Sequence, residues 1–140
     1  MKLFFDTSAL IKCYIDEPGS DAALELFDKA DGIYVSAIAE IEMQSTIRRL
    51  LAQKAISRPE YQTLTAEFES DFLFFNTVEL TEDVILTAKK IVDLYQLKTL
   101  DSIQLSSVIT LPEEIDAFIV CDQKLIKAGE KENLKIIRPQ

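Results

Sequence analysis

The sequence predicts an α/β fold in which a parallel sheet of about five short strands is covered by helices on both faces. Short apolar runs alternate along the chain with longer segments whose apolar residues recur at helical spacing. The runs, such as Leu3-Phe4-Phe5 and Ala117-Phe118-Ile119-Val120, are solidly apolar, as strands buried on both faces are. Right-handed crossovers through helices then join one strand to the next. With 140 residues and 48% hydrophobic content, residues 1–140 make one domain with a substantial core. Only three glycines and four prolines are present, none clustered, and there is no linker or internal repeat.

The first strand ends at Phe5 and delivers Asp6 to the sheet edge. Thr7 to about Tyr14 starts a helix with a hydroxyl cap, broken by Glu17-Pro18-Gly19-Ser20. Ser20 or Asp21 caps a second helix, with Ala23, Leu24 and Phe27 facing inward, that stops near Gly32. Ile33-Tyr34-Val35 is a strand, and Ser36 opens a long helix through Leu51. Ser57-Arg58-Pro59-Glu60 has the serine, early proline and glutamate of a capped helix start, and this helix stops near Asp71. Phe72 to Val78 is apolar enough for a third strand. Thr81-Glu82-Asp83 puts acids in the first turn of a helix, where its dipole favours them. Thr99-Leu100-Asp101 starts the next, and Pro112 ends it. Ala117 to Cys121 is a strand, Asp122 begins a helix that stops at Gly129, and Leu134 to Ile137 is the last strand.

A formal charge of −9 argues against a general basic surface for gripping phosphates but does not exclude a nucleic-acid enzyme, since carboxylates gathered around divalent cations also raise the negative count. The absence of histidine excludes histidine general-base, metal and triad chemistry. Cys13 and Cys121 lie in apolar surroundings outside any C-x-x-C pair, as free thiols in a reducing compartment do. The first apolar run is cut at Asp6, too soon for a signal peptide, and no run approaches the length of a membrane span, so a soluble cytoplasmic protein is expected.

Acids that follow strands or open helices collect at the carboxyl edge of such a sheet, where ligands bind. Asp6 and Asp122 follow strands, and Asp101 opens a helix. Asp122 is equally readable as a helix cap, and Asp101 alone as a dipole-favoured acid. Glu40 and Glu42 both lie early in the helix after Val35, on opposite sides of it, and periodicity does not choose between them. Two carboxylates ~5 Å apart repel by ~3 kcal/mol at an effective dielectric near 20, so such a cluster is tolerable when hard cations fill it. Oxygen-only donors suit Mg²⁺ or Mn²⁺.

The stretch Phe5-Asp6-Thr7-Ser8-Ala9-Leu10-Ile11-Lys12, followed by Tyr14 and Glu17-Pro18-Gly19-Ser20, resembles the start of a PIN-domain ribonuclease of the VapC toxin type. Val35-Ser36 with Glu42 six residues after the serine, Leu100-Asp101-Ser102-Ile103-Gln104-Leu105, Phe118 to Leu125, and Asn133 to Pro139 continue the pattern over nearly the whole chain. The resemblance selects Glu42 over Glu40. It implies a sheet ordered 3-2-1-4-5 and a catalytic, metal-holding set of Asp6, Glu42, Asp101 and Asp122 with one or two Mg²⁺ or Mn²⁺ ions. It further implies cleavage of RNA, a cognate antitoxin and, from the dimers common in the family, a homodimer. Ser8 and Ser36 are read first as helix caps and second as groups that position water or phosphate. Val120 stands where the family often has threonine, and Ser102 and Gln104 where alanine or histidine is usual. Arg48, Arg49, Lys54 and Arg58 are the one local basic group, either a groove for RNA or a solvated face.

Two other readings fit the same acids. One is a catalytically weak PIN-like binding module. The other is a phosphoryl-transfer or receiver-like protein using Asp6, although Ser8 stands where such phosphatases usually carry a second aspartate.

Overall fold

The computed structural model describes residues 1–140 and sets the first apolar run at the centre of the sheet. Lys2–Phe5 forms β1, which pairs in parallel with β2, Gly32–Ser36, and with β4, Ala117–Ile119. Strand β3, Asn76–Val78, adds beside β2, and β5, Ile136–Ile137, beside β4. The all-parallel order is β3-β2-β1-β4-β5, as the family resemblance implies.

Seven helices connect and cover the strands. They are α1 (Thr7–Leu10, extended by a 3₁₀ turn over Ile11–Cys13), α2 (Ser20–Lys29), α3 (Ala39–Ala52), α4 (Arg58–Phe72), α5 (Glu82–Tyr95), α6 (Thr99–Thr110) and α7 (Gln123–Lys131).

Because strand side chains alternate, the continuous apolar runs feed two cores at once. Leu3, Phe5, Val35, Ala117 and Ile119 point into one, closed by Leu10, Met43, Ile47 and Phe68 from α1, α3 and α4. Phe4, Tyr34, Phe118 and Val120 point into the other, closed by Ile91, Leu105, Leu125 and Ala128 from α5, α6 and α7. Phe4 and Phe118 meet edge to face with ring centroids 5.7 Å apart. Burial of each such phenyl ring contributes about 2–3 kcal/mol, so β1 is held from both faces.

The third strand is shorter than its apolar run. Helix α4 continues to Phe72, and only Asn76–Val78 pairs with β2. Phe72 and Phe75 turn into the core with ring centroids 5.0 Å apart, while Leu73 and Phe74 are 82% and 83% exposed. Apolar character alone therefore misplaced the boundary. Helix α3 begins at Ala39 rather than Ser36, which is the last residue of β2. Helix α7 runs through Gly129 to Lys131. Gly129 packs α7 onto β5, and a Cβ there would come 2.9 Å from Ile136 Cδ1.

The break after α1 depends on Gly19, whose φ of +93° caps the start of α2. A Cβ at that position would meet the carbonyl oxygen of Pro139 at 2.7 Å, so the turn also docks the C-terminal segment. Gly19→Ala is expected to destabilise the fold by about 1–3 kcal/mol through backbone strain and this clash. Urea unfolding checks this, and an unchanged midpoint would refute it.

Candidate functional site

Asp6 stands where β1 leaves the sheet. Its backbone N–H still bonds Ile119 O at 2.9 Å, the last rung shared with β4. Its side chain N-caps α1, accepting from the Ser8 backbone N–H at 3.1 Å and from the Ser8 hydroxyl. Asp6 itself is thus the cap expected of Thr7 or Ser8, and Ser8 becomes its support. The Ser8 Oγ also accepts from the Cys121 N–H at 3.4 Å, linking Asp6 to the end of β4.

Asp6 is 4% exposed. Burial pushes its carboxyl up to about 7, the charges of Glu42 and Asp101 push the same way, and the Ser8 hydrogen bonds oppose them. Asp101, in the first turn of α6, is also raised, by burial and then by the charges of Asp122 and Glu42, with Lys98 opposing. Asp101 therefore shares a field with all three other acids.

Glu42 lies in the first turn of α3 and points inward. Its Oε1 accepts from the Thr7 hydroxyl at 2.8 Å and from Gln104 Nε2 at 2.8 Å. Glu40 is exposed and borders a separate groove with Ile41 and Arg48. Asp122 N-caps α7, its Oδ1 accepting from the Leu125 N–H at 2.9 Å. Ser36 is buried and accepts from the Ile38 N–H at 3.3 Å, but the N-cap of α3 is Ile38. Val120 belongs to the second core.

The four acids thus reach one edge of the sheet, yet no group of three or more acidic, cysteine or histidine side chains is gathered closely enough to hold a metal ion. Capping bonds tie one oxygen of Asp6 and one of Asp122, and Glu42 is tied to Thr7 and Gln104. Each tied carboxylate keeps its second oxygen clear of these bonds. The donor type fits a hard cation, because the acids at this edge offer carboxylate oxygens, and a cation would offset the burial and the mutual repulsion that raise Asp6 and Asp101.

Arg48 and Arg49 lie about two turns beyond Glu42 along α3, ~10 Å from the acid edge. The cations beside the acids are others. Lys12 and Arg138 both act on Cys121, and Lys12 Nζ is held by Glu17 Oε1 at 3.0 Å and by the Pro18 carbonyl at 2.7 Å. Sequence reasoning missed Lys12, Thr7 and Gln104 as parts of the site; the position of Gln104 one turn after Asp101 was the available signal.

Ribonuclease VapC45 of Mycobacterium tuberculosis is 24% identical over 123 residues, covering 88% of this chain and 85% of its own length. A toxin-antitoxin complex from Klebsiella pneumoniae superposes over 99% of this chain and 98% of its own at a TM-score of 0.71 and 18% identity. The M. tuberculosis sarcin-ricin loop cleaving toxin VapC20 superposes over 91% of this chain and 95% of its own, at a TM-score of 0.70 and 14% identity. These structural likenesses establish the fold. Residues 3–131, from the second residue of β1 to the end of α7, match the family model for the PIN domain, and the chain belongs to that family.

Proposed function

We propose that the protein is a Mg²⁺- or Mn²⁺-dependent endoribonuclease, the toxin of a toxin-antitoxin pair, with residues 1–140 acting as one PIN domain. The observation that carries this is the shared field at the carboxyl edge, where Glu42 and Asp101 act on Asp6 while Glu42 and Asp122 act on Asp101. Membership of the PIN family and likeness to a VapC ribonuclease support the same reading. The toxin-antitoxin complexes among the structural neighbours support an antitoxin partner.

Asp6 and Asp101 are assigned to the principal ion, with Glu42 and Asp122 completing the set. A bound ion supplies a water of lowered pKa and neutralises charge at the scissile phosphate. Ser8 holds the Asp6 carboxylate in place. Ser36, buried at the end of β2, is the second group assigned to positioning water or phosphate. Lys12 and Arg138 give the RNA backbone local positive charge despite the net charge of −9. No side-chain nucleophile is needed, in keeping with a chain without histidine. A cytoplasmic location is part of this proposal. Both cysteines are free, and no helix is long and apolar enough to cross a membrane.

The homodimer is proposed to close on the face between α5 and α6, where Leu80, Ile85, Val92 and Leu100 are exposed. Ile85→Glu is expected to convert it to a monomer in sedimentation, and an unchanged dimer would place the interface elsewhere.

Asp6→Asn keeps the cap and removes the charge, so it is expected to abolish metal-dependent RNA cleavage while the protein stays folded. Full activity in this variant would mean the site is misplaced. Strong Mn²⁺ binding by the wild type with no RNA cut would favour the binding-module reading instead.

The raised Asp6 value also sets a pH dependence. The folded protein retains a proton that the unfolded chain loses near pH 3.8, so this contribution to stability is complete below that pH and lost as pH rises through about 7. At about pH 8 without metal, Asp6→Asn is expected to be more stable than wild type by on the order of 2–4 kcal/mol. Equal stabilities across that range in denaturant unfolding would refute this. Mn²⁺ affinity and cleavage should both fall as pH is lowered from about 8 to about 6, because the Asp6 carboxyl then holds its proton.

A further inference from the structure

Thr7, Glu42 and Gln104 come from three separate elements and form a closed triangle of hydrogen bonds. Gln104 Nε2 donates to Glu42 Oε1 at 2.8 Å and to Thr7 Oγ1 at 3.0 Å. The Thr7 hydroxyl in turn donates to the same Glu42 Oε1 at 2.8 Å. The donor count closes. The Gln104 amide serves both oxygens, Thr7 uses its single hydroxyl hydrogen, and Glu42 Oε1 accepts two bonds.

Gln104 is 1% exposed on α6, in a helix whose other buried polar residues, Ser102, Ser106 and Ser107, bond back to main-chain carbonyls. Ser102 and Ser107 bond within α6 and Ser106 reaches the Val84 carbonyl of α5, whereas Gln104 alone among them bonds side chains, and those of two different elements. Its carbonyl oxygen is buried without a partner, which costs stability. A glutamine kept in an apolar environment at that cost, with its amide on a carboxylate of the candidate site and one turn from Asp101, has a role beyond filling space.

We propose that Gln104 is a positioning residue for the cation site, clamping Glu42 Oε1 together with Thr7 so that only Oε2 is presented as a ligand. The inference rests on the cation reading above and deepens it. A clamped glutamate binds through one oxygen in a fixed direction, and the rotamer freedom it would otherwise lose on binding is already lost in the metal-free protein.

The test is a double-mutant cycle read by calorimetric titration with Mn²⁺. Gln104→Met, close in volume but without the amide, is expected to weaken Mn²⁺ binding about tenfold, the usual range for loss of a group that holds a ligand. In a Glu42→Ala background the same change is expected to add nothing. Mn²⁺ affinity unchanged by Gln104→Met, or weakened equally in both backgrounds, would overturn the proposal. Absence of Mn²⁺ binding by the wild type would instead overturn the cation reading itself. A measurement on the wild type alone covers the case in which the variants do not fold. The Gln104 side-chain amide protons should exchange more slowly than those of the other glutamines, and their resonances should shift on adding Mg²⁺. Fast exchange would overturn the clamp whatever the metal does.

Discussion

A carboxyl group buried at the end of the central strand is the constraint on which the rest of this structure depends. Bringing Asp6 out of water costs several kcal/mol if it is charged, and its raised proton affinity records that cost. The fold answers with local hydrogen bonds from Ser8 rather than with a buried cation. Lys12, the lysine on the same segment, is drawn away to Glu17 and Pro18. A salt bridge to Asp6 would have stabilised the apo fold and blocked the site; the arrangement seen leaves the carboxylate for an external charge.

That placement follows from the sheet. A central strand with helices on both faces has side chains committed to two cores, so only the residue just past its end is free to turn polar. β1 and β4 reach this point side by side, tied by the Asp6–Ile119 rung and by Ser8 to Cys121. The acids of α3 and α6 reach it because those helices begin at the same edge. Helix starts also tolerate acids well, so the fold holds four carboxylates near one another at less cost than mid-helix positions would impose.

Much of this is legible in the chain. Solid apolar runs announce a buried parallel sheet, and Ser57 with Pro59 and Glu60 announces α4, whose capping box forms as expected. The failures share a cause, because apolar content does not reveal which way a side chain faces. Phe72 to Phe75 reads as strand but divides between a helix end, a turn with exposed Leu73 and Phe74, and core contacts. At the site, residue type and spacing bring Asp6, Asp101 and Asp122 forward, but Glu40 and Glu42 are indistinguishable by periodicity. The Ser36-to-Glu42 spacing of the family pattern selects Glu42, and the structure supplies the physical reason in its contacts with Thr7 and Gln104, 35 and 62 residues away.

The same distant contacts show how the fold restrains its edge carboxylates without neutralising them. Each of Asp6, Glu42 and Asp122 gives one oxygen to a neutral donor inside the fold, namely Ser8, the Thr7–Gln104 pair and the Leu125 amide. Neutral donors stabilise a carboxylate without cancelling its charge, so the field at the edge persists while the geometry is restrained. Internal lysines or arginines in those places would have stabilised the same acids more strongly and removed the attraction for a divalent ion. The chain instead keeps Arg48 and Arg49 at the far part of α3, about two turns away, while Lys98 acts on Asp101 and Lys12 and Arg138 act on Cys121 at the margin of the edge. Negative charge at the centre with cations at the margin suits a phosphate backbone approaching through bound metal better than one gripped directly by basic side chains.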